Sequence, residues 1–170
     1  FNQGDAANQG ATAGAISGGY NLGTDSAAIT LTASNILSSI TALSSVLDEA
    51  NVPETDRWLI ITPTERQILM QSNLAQAQFM GDASSVLRNG KIGMIDRFMV
   101  YVSNNLPKTN DGDSYLMAGT KDAITFASQM TNVETIRAQS TFGNIVRGLN
   151  VYGYGVIKPE ALVNMVAVKG

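Results

Sequence analysis

The segment from residue 58 to residue 72 passes from strand to helix without an intervening loop. Residues 58–61 (WLII) form a continuous apolar run, which is typical of a central strand covered on both faces. Residues 62–65 (TPTE) follow at once. They place threonine at the cap position, proline at the first helical position and glutamate three residues after the cap, which together make a capping box. The sequence therefore predicts a buried strand that leads directly into a helix ending near Ser72.

The other segments predict a mixed α+β fold with a mainly antiparallel sheet. Apolar residues recur at helical spacing in residues 36–50 and predict a helix from about 33 to 50, with Thr32 or Ser34 as its cap. Residues 1–27 contain six glycines and predict an extended segment or linker. Further predicted elements are strands at 28–32, 97–103, 115–118, 123–127, 133–138, 149–157 and 163–168, turns at 110–113 and 159–162, and a short helix or loop at 142–147.

Composition excludes several classes of function. Charged residues make up 15% of the chain, against about 25% in typical soluble domains. This suits faces covered by neighbouring subunits, and it suits an ordinary low-charge β-rich domain equally well. The absence of cysteine and histidine removes thiolate chemistry and the commonest general base and zinc ligand. The net charge of −3 and the scattered basic residues argue against a nucleic-acid surface, and no apolar run approaches the roughly 20 residues that span a bilayer.

Carboxylates supply the main candidates for chemistry. Paired carboxylates perform acid–base catalysis only where burial or repulsion separates their pKa values, and the cluster near the end of the first predicted helix lies in a polar loop. We therefore expect a solvated or interface role for Asp48, Glu49, Glu54 and Asp56. Asp111 and Asp113 flank Gly112 without the further ligands of a calcium loop, so they predict a turn. The sequence predicts no catalytic, cofactor-binding or metal-binding residues, and we do not expect an enzyme.

Glycines, aromatic residues and methionines have structural interpretations. Gly153 and Gly155 lie within a predicted strand, where they indicate close backbone approach or a bulge rather than a dinucleotide site. Five aromatic residues have no interleaved basic side chains, which favours core and interface packing over base stacking; they are Tyr101, Tyr115, Phe126, Tyr152 and Tyr154. The seven methionines suit irregular contacts between subunits, or fill gaps in a core equally well.

Three motifs, in this order and spacing, resemble the C-terminal half of tailed-bacteriophage major capsid proteins, which have the Hong Kong 97-type fold. They are the strand–Thr–Pro–helix unit of residues 58–69, SNNLP at 103–107 and KPEALV at 158–163. The resemblance covers roughly residues 28–168. It implies an axial domain formed by residues 28–127 plus 151–170, and part of a peripheral domain, an arm, formed by residues 128–150. It also implies a loop at about 76–90 that points toward the capsomer centre.

The resemblance implies a structural subunit that self-assembles into hexamers and pentamers of an icosahedral phage head around double-stranded DNA. The implied partners are other copies of the chain together with scaffolding and portal proteins. Specific nucleic-acid binding, membranes and cofactors are not implied. The implied location is the virion, after assembly in the bacterial host cytoplasm. Two alternatives stay open: an encapsulin-type shell protein, and a non-catalytic secreted adhesin or binding domain.

The start of the chain leads to two further expectations. Phe1 is not a natural start, so we expect a piece of a longer protein that lacks the N-terminal arm, extended loop and spine helix of the family. Such a piece should be monomeric or weakly associated in dilute solution. Because the spine helix covers the arm in the family, we expect Ile136, Phe142 and Val146 to be more exposed than the core residues Leu59, Ile61 and Val100, or else to be buried by a neighbouring molecule.

Overall fold

The structure is a computed structural model that describes residues 4–72, 93–109 and 112–170. Its two helices are α1 (Ile36–Glu49) and α2 (Pro63–Gln71). Its strands are β1 (Ile29–Leu31), β2 (Arg57–Ile61), β3 (Met94–Ile95), β4 (Phe98–Val102), β5 (Ser114–Thr120), β6 (Ile124–Arg137), β7 (Asn144–Val156) and β8 (Leu162–Lys169). Short 3-10 helices lie at Ala6–Asn8, Lys121–Ala123 and Pro159–Ala161. The loop predicted at 76–90 lies outside the described residues.

The strands form two separate sheets. Six strands pair in the order β1-β8-β5-β2-β4-β3, in which β1 with β8 and β2 with β4 are parallel and the other neighbours are antiparallel. Strands β6 and β7 form a two-stranded antiparallel sheet of their own. The predicted α+β class with a mainly antiparallel sheet is thus confirmed. Neither of the two described helices has the length and apolarity needed to span a bilayer.

Helices α1 and α2 pack on one face of the six-stranded sheet. Apolar side chains of α1 meet buried side chains of β2, β5 and β8, among them Leu59, Leu116 and Met165. In β2, Arg57, Leu59 and Ile61 are buried whereas Trp58 and Ile60 are only half-buried. The predicted central strand is therefore covered fully on its helix side and partly on the other, because the helices lie on one side only.

One of the two predicted helix caps is correct. In α2 the Thr62 hydroxyl contacts the Glu65 carboxylate, which also accepts the Thr62 N–H at 2.9 Å, and the capping box is complete. In α1 the prediction of Thr32 or Ser34 is wrong, because Asn35 is the cap residue. The Asn35 side chain accepts the Thr32 N–H at 2.8 Å and donates to the Thr30 carbonyl at 2.8 Å. It therefore fixes the path from β1 into the helix rather than capping the helix itself.

The C-terminal third contains longer strands than the sequence predicts. The strands expected at 123–127 and 133–138 are one continuous strand, β6, with a register shift between Met130 and Asn132. Both alternatives at 142–147, a short helix and a loop, are wrong from Asn144 onward, because β7 begins there. Gly153 and Gly155 do not form the bulge, which lies in β6, and a side chain added at either glycine would meet open space.

The N-terminal segment packs against the sheet. Residues 4–27 contain little regular structure, but Asn8, Ala13 and Leu22 are fully or almost fully buried. The Asn8 amide donates to two backbone carbonyls near the start of β8, and the Leu22 carbonyl accepts the Val166 N–H at 2.9 Å. The extended path is therefore held in place along β8 by buried contacts.

A buried arginine joins α1 to β2. Arg57 is 2% exposed, and its guanidinium donates to the Asp48 carboxylate at 2.7 Å and to the Val52 and Pro53 carbonyls at 2.7 and 2.9 Å. A buried charge needs such partners, since it is otherwise strongly destabilising. Arg57 thus fixes the connection between residues 48 and 57 from inside.

We expect Arg57→Met to lower the free energy of unfolding by about 2–4 kcal/mol, because it leaves buried carbonyls without donors. Urea unfolding followed by fluorescence of Trp58, the single tryptophan, measures this. Lys169→Met, at an exposed position, is the control and should change stability by less than about 0.5 kcal/mol. Equal stability of the two variants would contradict the assigned role of Arg57.

Candidate assembly surface

The hairpin of β6 and β7, residues 124–156, projects from the six-stranded sheet. It contains the predicted arm of residues 128–150, and from here on the whole hairpin is called the arm. Its strands pair from Ile124 with Val156 to Arg137 with Asn144, over a length of about 40 Å. At the tip the Ala138 N–H donates to the Gly143 carbonyl at 2.9 Å. Almost every side chain described in the arm is exposed. A two-stranded sheet is marginal in water by itself, so the arm presents surface that a neighbouring element can stabilise.

The arm has an inner half, where residues 124–130 pair with 150–156, and an outer half, where residues 132–137 pair with 144–149. The inner half has one strongly apolar face and one face of mainly small or polar residues. The register and the alternation of side chains place Ile124, Phe126, Met130, Tyr152 and Tyr154 on one face. The rings of Phe126 and Tyr152 are tilted against each other with centroids 6.3 Å apart. The opposite face carries small or polar residues, namely Thr125, Ala127, Gln129, Gly153 and Gly155. Only one side of the inner half is therefore strongly apolar.

The outer half of the arm is apolar on both faces. Val133 and Val146 continue the apolar face of the inner half, whereas Ile145 and Leu149, together with Val151 of the adjoining inner half, lie on the other face. All five side chains are about half exposed or more. Charges in this half are paired internally: Arg147 forms an ion pair with Glu134 on the opposite strand, and the Arg137 guanidinium lies 5.7 Å from the centre of the Phe142 ring. The outer half thus presents apolar side chains together with one ion pair and one cation–π contact.

All three arm residues are more exposed than Leu59 and Ile61, as the sequence predicts. Phe142 and Val146 are 103% and 68% exposed, whereas Leu59 and Ile61 are 0% and 2% exposed. Ile136 is half-buried. Val100, expected in the core, is also half-buried.

A second apolar surface lies on the face of the six-stranded sheet that the helices leave open. Met99 and Tyr101 of β4 pair with Trp58 and Ile60 of β2, and Met94 of β3 pairs with Met99. These side chains are half-buried or exposed. The sheet therefore offers a contiguous apolar strip near its β3 edge, where only one side is packed by helices.

The predicted carboxylate cluster is a network of ion pairs. Asp48 binds Arg57 and also Arg97, at 2.7 and 2.8 Å, and Glu54 binds Arg97 at 2.8 Å. Asp56 pairs with Lys121, and its hydrogen bond raises the pKa of that lysine. The carboxylates of the cluster thus hold the α1–β2 connection against the β3–β4 turn and the 3-10 helix at 121–123.

The turn around Gly112 is partly described. The Thr109 N–H donates to the Asp113 carbonyl at 2.9 Å, the Thr109 hydroxyl oxygen accepts the Asp113 N–H at 3.0 Å, and Gly112 has a positive φ of 89°. These contacts close a turn, as predicted, although residues 110 and 111 lie outside the described part of the chain. Within residues 4–72, 93–109 and 112–170 there is no group of three acidic residues placed to bind a metal ion.

The last residue of α1 holds the N-terminal segment. The Glu49 carboxylate accepts the N–H groups of Ile16 and Ser17, each at 3.0 Å. Hydrogen bonds from Ser17, chiefly from its backbone and then its side chain, followed by the backbone of Ile16, lower the pKa of Glu49. An ionised carboxylate accepts such bonds most strongly. The sequence offered no sign of this role, because Glu49 and Ser17 lie 32 positions apart.

We expect acid to loosen this contact. Because the folded-state pKa of Glu49 lies below its ordinary value of 4.5, its contribution to stability is present above that value and is lost as the pH falls through the folded-state pKa. Amide exchange at Ile16 and Ser17 should therefore accelerate, relative to its intrinsic rate, as the pH is lowered from 4.5 through the folded-state pKa. Glu49→Gln should show fast exchange already at pH 7. Equal protection in the variant and the wild type at pH 7 would contradict this assignment.

A depression lies between the N-terminal segment and strands β5 and β8. It has a volume of about 590 Å³ and is lined by residues that include Gln9, Asp25 and Asn164. Its wall is fixed by the Tyr115 hydroxyl, which donates to the Asp25 carboxylate at 2.6 Å. That hydrogen bond, with a smaller effect of burial, raises the pKa of Tyr115. The depression is open and shallow, and its groups stabilise the fold of the N-terminal segment.

Known proteins share this arrangement of sheet, helices and arm. A structure from Mycobacterium phage Che8 is 31% identical with a TM-score of 0.69, over 81% of this chain and 50% of that chain. The capsid structure of the cyanophage P-SCSP1u is 21% identical with a TM-score of 0.57, over 88% of this chain and 55% of that chain, and at this identity it shows the fold alone. The chain spans about half the length of these solved structures. The comparison with curated proteins gave no match.

The fold is therefore of the Hong Kong 97 type, as the sequence motifs predicted. A family model described as "Phage capsid protein" matches residues 2–165, which is nearly the whole chain. The chain belongs to this phage capsid protein family, and its role is structural.

Proposed function

We propose that this chain is part of a major capsid protein whose copies form the hexamers and pentamers of an icosahedral phage head around double-stranded DNA. The observation that carries the proposal is the arm, because its apolar side chains project into solvent instead of entering the core of the chain. Phe126, Tyr152 and Tyr154 are 65%, 64% and 77% exposed, which amounts to about 400 Å² for rings of this size. A standard protein interface buries about 800 Å² per partner, so these rings supply about half of one.

The charge of the molecule supports a wall that encloses DNA without binding it tightly. The net charge is −3, and several of the cations are held in ion pairs with Asp48, Glu54, Asp56 and Glu134. Tight DNA binding requires clustered free cations that displace counterions from phosphates. The same molecule assembles in the host cytoplasm with scaffolding and portal proteins, and ends in the virion.

The domain division of the family suits this architecture. Residues 28–127 and 151–170 form the axial domain, and residues 128–150 form part of the peripheral domain. The separate pairing of β6 and β7 supports a division into two parts, and their hairpin begins at Ile124 and ends at Val156, a few residues on the axial side of the predicted boundaries. The six-stranded sheet with α1, α2 and the N-terminal segment is called the body. The body positions the arm against neighbouring subunits, and the arm supplies the contacts.

Electron microscopy of the intact protein, expressed alone and with its scaffolding partner, tests the proposal. Closed shells of uniform size support it, and a monodisperse monomer under both conditions would overturn it. Shells that contain enzymes instead of DNA in the native host would favour the encapsulin-type alternative. Glycan binding by a monomer would favour the adhesin.

We expect Tyr152→Asp in the intact protein to reduce the assembled fraction by about tenfold or more, because a buried unpaired charge strongly weakens an interface. Gln129→Asp, on the opposite face of the same half of the arm, is the matched control and should assemble within about twofold of the wild type. Sedimentation velocity measures the two fractions. Equal assembly of both variants would show that the aromatic face of the arm is not part of the interface.

A further inference from the structure

The hydrogen bonds at the base of the arm fix which amide groups of β7 face β6. The Ile157 N–H donates to the Ala123 carbonyl at 2.9 Å. Hydrogen-bonded pairs alternate with non-hydrogen-bonded pairs along an antiparallel ladder. With the observed register, the N–H groups of the odd-numbered residues 151–155 therefore face β6. Those of the even-numbered residues 150–156 face away from it, along the outer edge of β7.

The tip of the arm gives the same assignment independently. There the Ala138 N–H donates to the Gly143 carbonyl, so the odd-numbered residues of β7 again face β6. The extra residue in β6 between Met130 and Asn132 leaves the alternation in β7 unchanged. Among residues 4–72, 93–109 and 112–170, no strand pairs with the outer edge of β7, which is therefore a regular row of donors and acceptors.

The two edges of the arm differ in how they are protected against pairing. Exposed edges are normally blocked by bulges, charges or proline. Strand β6 contains the bulge and carries Glu134 and Arg137. In contrast, residues 148–156 of β7 (GLNVYGYGV) contain no charge and no proline, and their register in β7 is unbroken. Residues 124–130 of β6 are also free of charge and proline, but the bulge ends that stretch after Met130, so residues 148–156 of β7 offer the longer open edge to another strand.

We propose that the outer edge of β7, over residues 148–156, pairs with β7 of a second copy of the chain in an antiparallel arrangement about a two-fold axis. This rests on the proposed function and specifies one contact of the shell. Centred on Tyr152, the middle of the uncharged segment, the pairing sets even-numbered residues opposite even-numbered residues. Both members of each such pair then have their N–H groups directed at the other copy, as an antiparallel hydrogen-bonded pair requires.

The positions of charged and aromatic side chains favour a second copy as the occupant. In this register Arg147 lies opposite Ile157 and Lys158 lies opposite Val146 of the other copy, so like charges do not meet across the axis. The four-stranded sheet that results brings Tyr152 and Tyr154 of both copies onto one continuous apolar face. Cross-strand aromatic pairs of this kind stabilise antiparallel sheets.

Proline substitution in the intact protein tests the edge. Asn150→Pro removes an N–H that faces the second copy and leaves the ladder with β6 unaltered, so we expect the assembled fraction to fall by about tenfold. Ser128→Pro removes the equivalent outward N–H from β6, because Ser128 pairs with Tyr152. It is the matched control, and Asn150→Ala controls for the side chain. Both controls should assemble within about twofold of the wild type. An equal loss of assembly in Asn150→Pro and Ser128→Pro would overturn the proposal.

Amide exchange on the wild-type protein tests the same edge without a variant. Residues 150, 152 and 154 should exchange rapidly in the dispersed protein and at least about tenfold more slowly in the shell. Residues 151 and 153 should be protected more than these in the dispersed protein. Equal exchange of the even-numbered amides in both states would overturn the proposal while the shell function stands. Protection of these amides already in a demonstrated monomer would also overturn it, since the pairing strand would then belong to the same chain. Absence of shells would instead overturn the proposed function.

Discussion

A two-stranded sheet cannot bury its own side chains, and this limitation governs the arm. Each strand covers only one edge of the other, and both faces stay in contact with water. The aromatic side chains of Phe126, Tyr152 and Tyr154 alone leave about 400 Å² exposed. Covering that area is worth about 10 kcal/mol before the entropy of association is subtracted. The arm thus gains the free energy of burying these rings only when a neighbour covers them.

The rest of the chain has the stability that the arm lacks. Helices α1 and α2 cover one face of the six-stranded sheet, and Leu22 and Asn8 hold the N-terminal segment along β8. The buried guanidinium of Arg57 fixes the α1–β2 connection through Asp48 and two backbone carbonyls. Because these contacts are internal, the body can hold the arm in a defined position before assembly. Many charged side chains form ion pairs within the molecule, which leaves apolar and neutral polar surface for contacts with neighbours.

Elements with local signals could be predicted from the sequence, whereas those set by distant partners could not. The unit of β2 and α2 was predicted because its capping box and apolar run lie within about a dozen residues. The continuity of β6 was missed, because the polar residues between Met130 and Glu134 break the apolar alternation that marks a strand. Asn132 and Val133 are held in the strand by pairing with Leu149 and Gly148, which no local pattern reveals. The same reason hid the role of Glu49 and the ion pairs of Asp48 and Asp56, since their partners lie in other elements.

The methionines lie both in the core and on the exposed apolar surfaces. Met165 is 1% exposed in the core, whereas Met94, Met99 and Met130 are 64%, 40% and 68% exposed on the open face of the sheet and on the arm. An unbranched thioether side chain adapts to irregular contacts more readily than a β-branched one. A shell that contains both hexamers and pentamers must bring one surface against neighbours at more than one angle. Flexible side chains placed at that surface, beside a backbone edge whose hydrogen bonds fix the register, would let the angle change while the pairing of residues is kept.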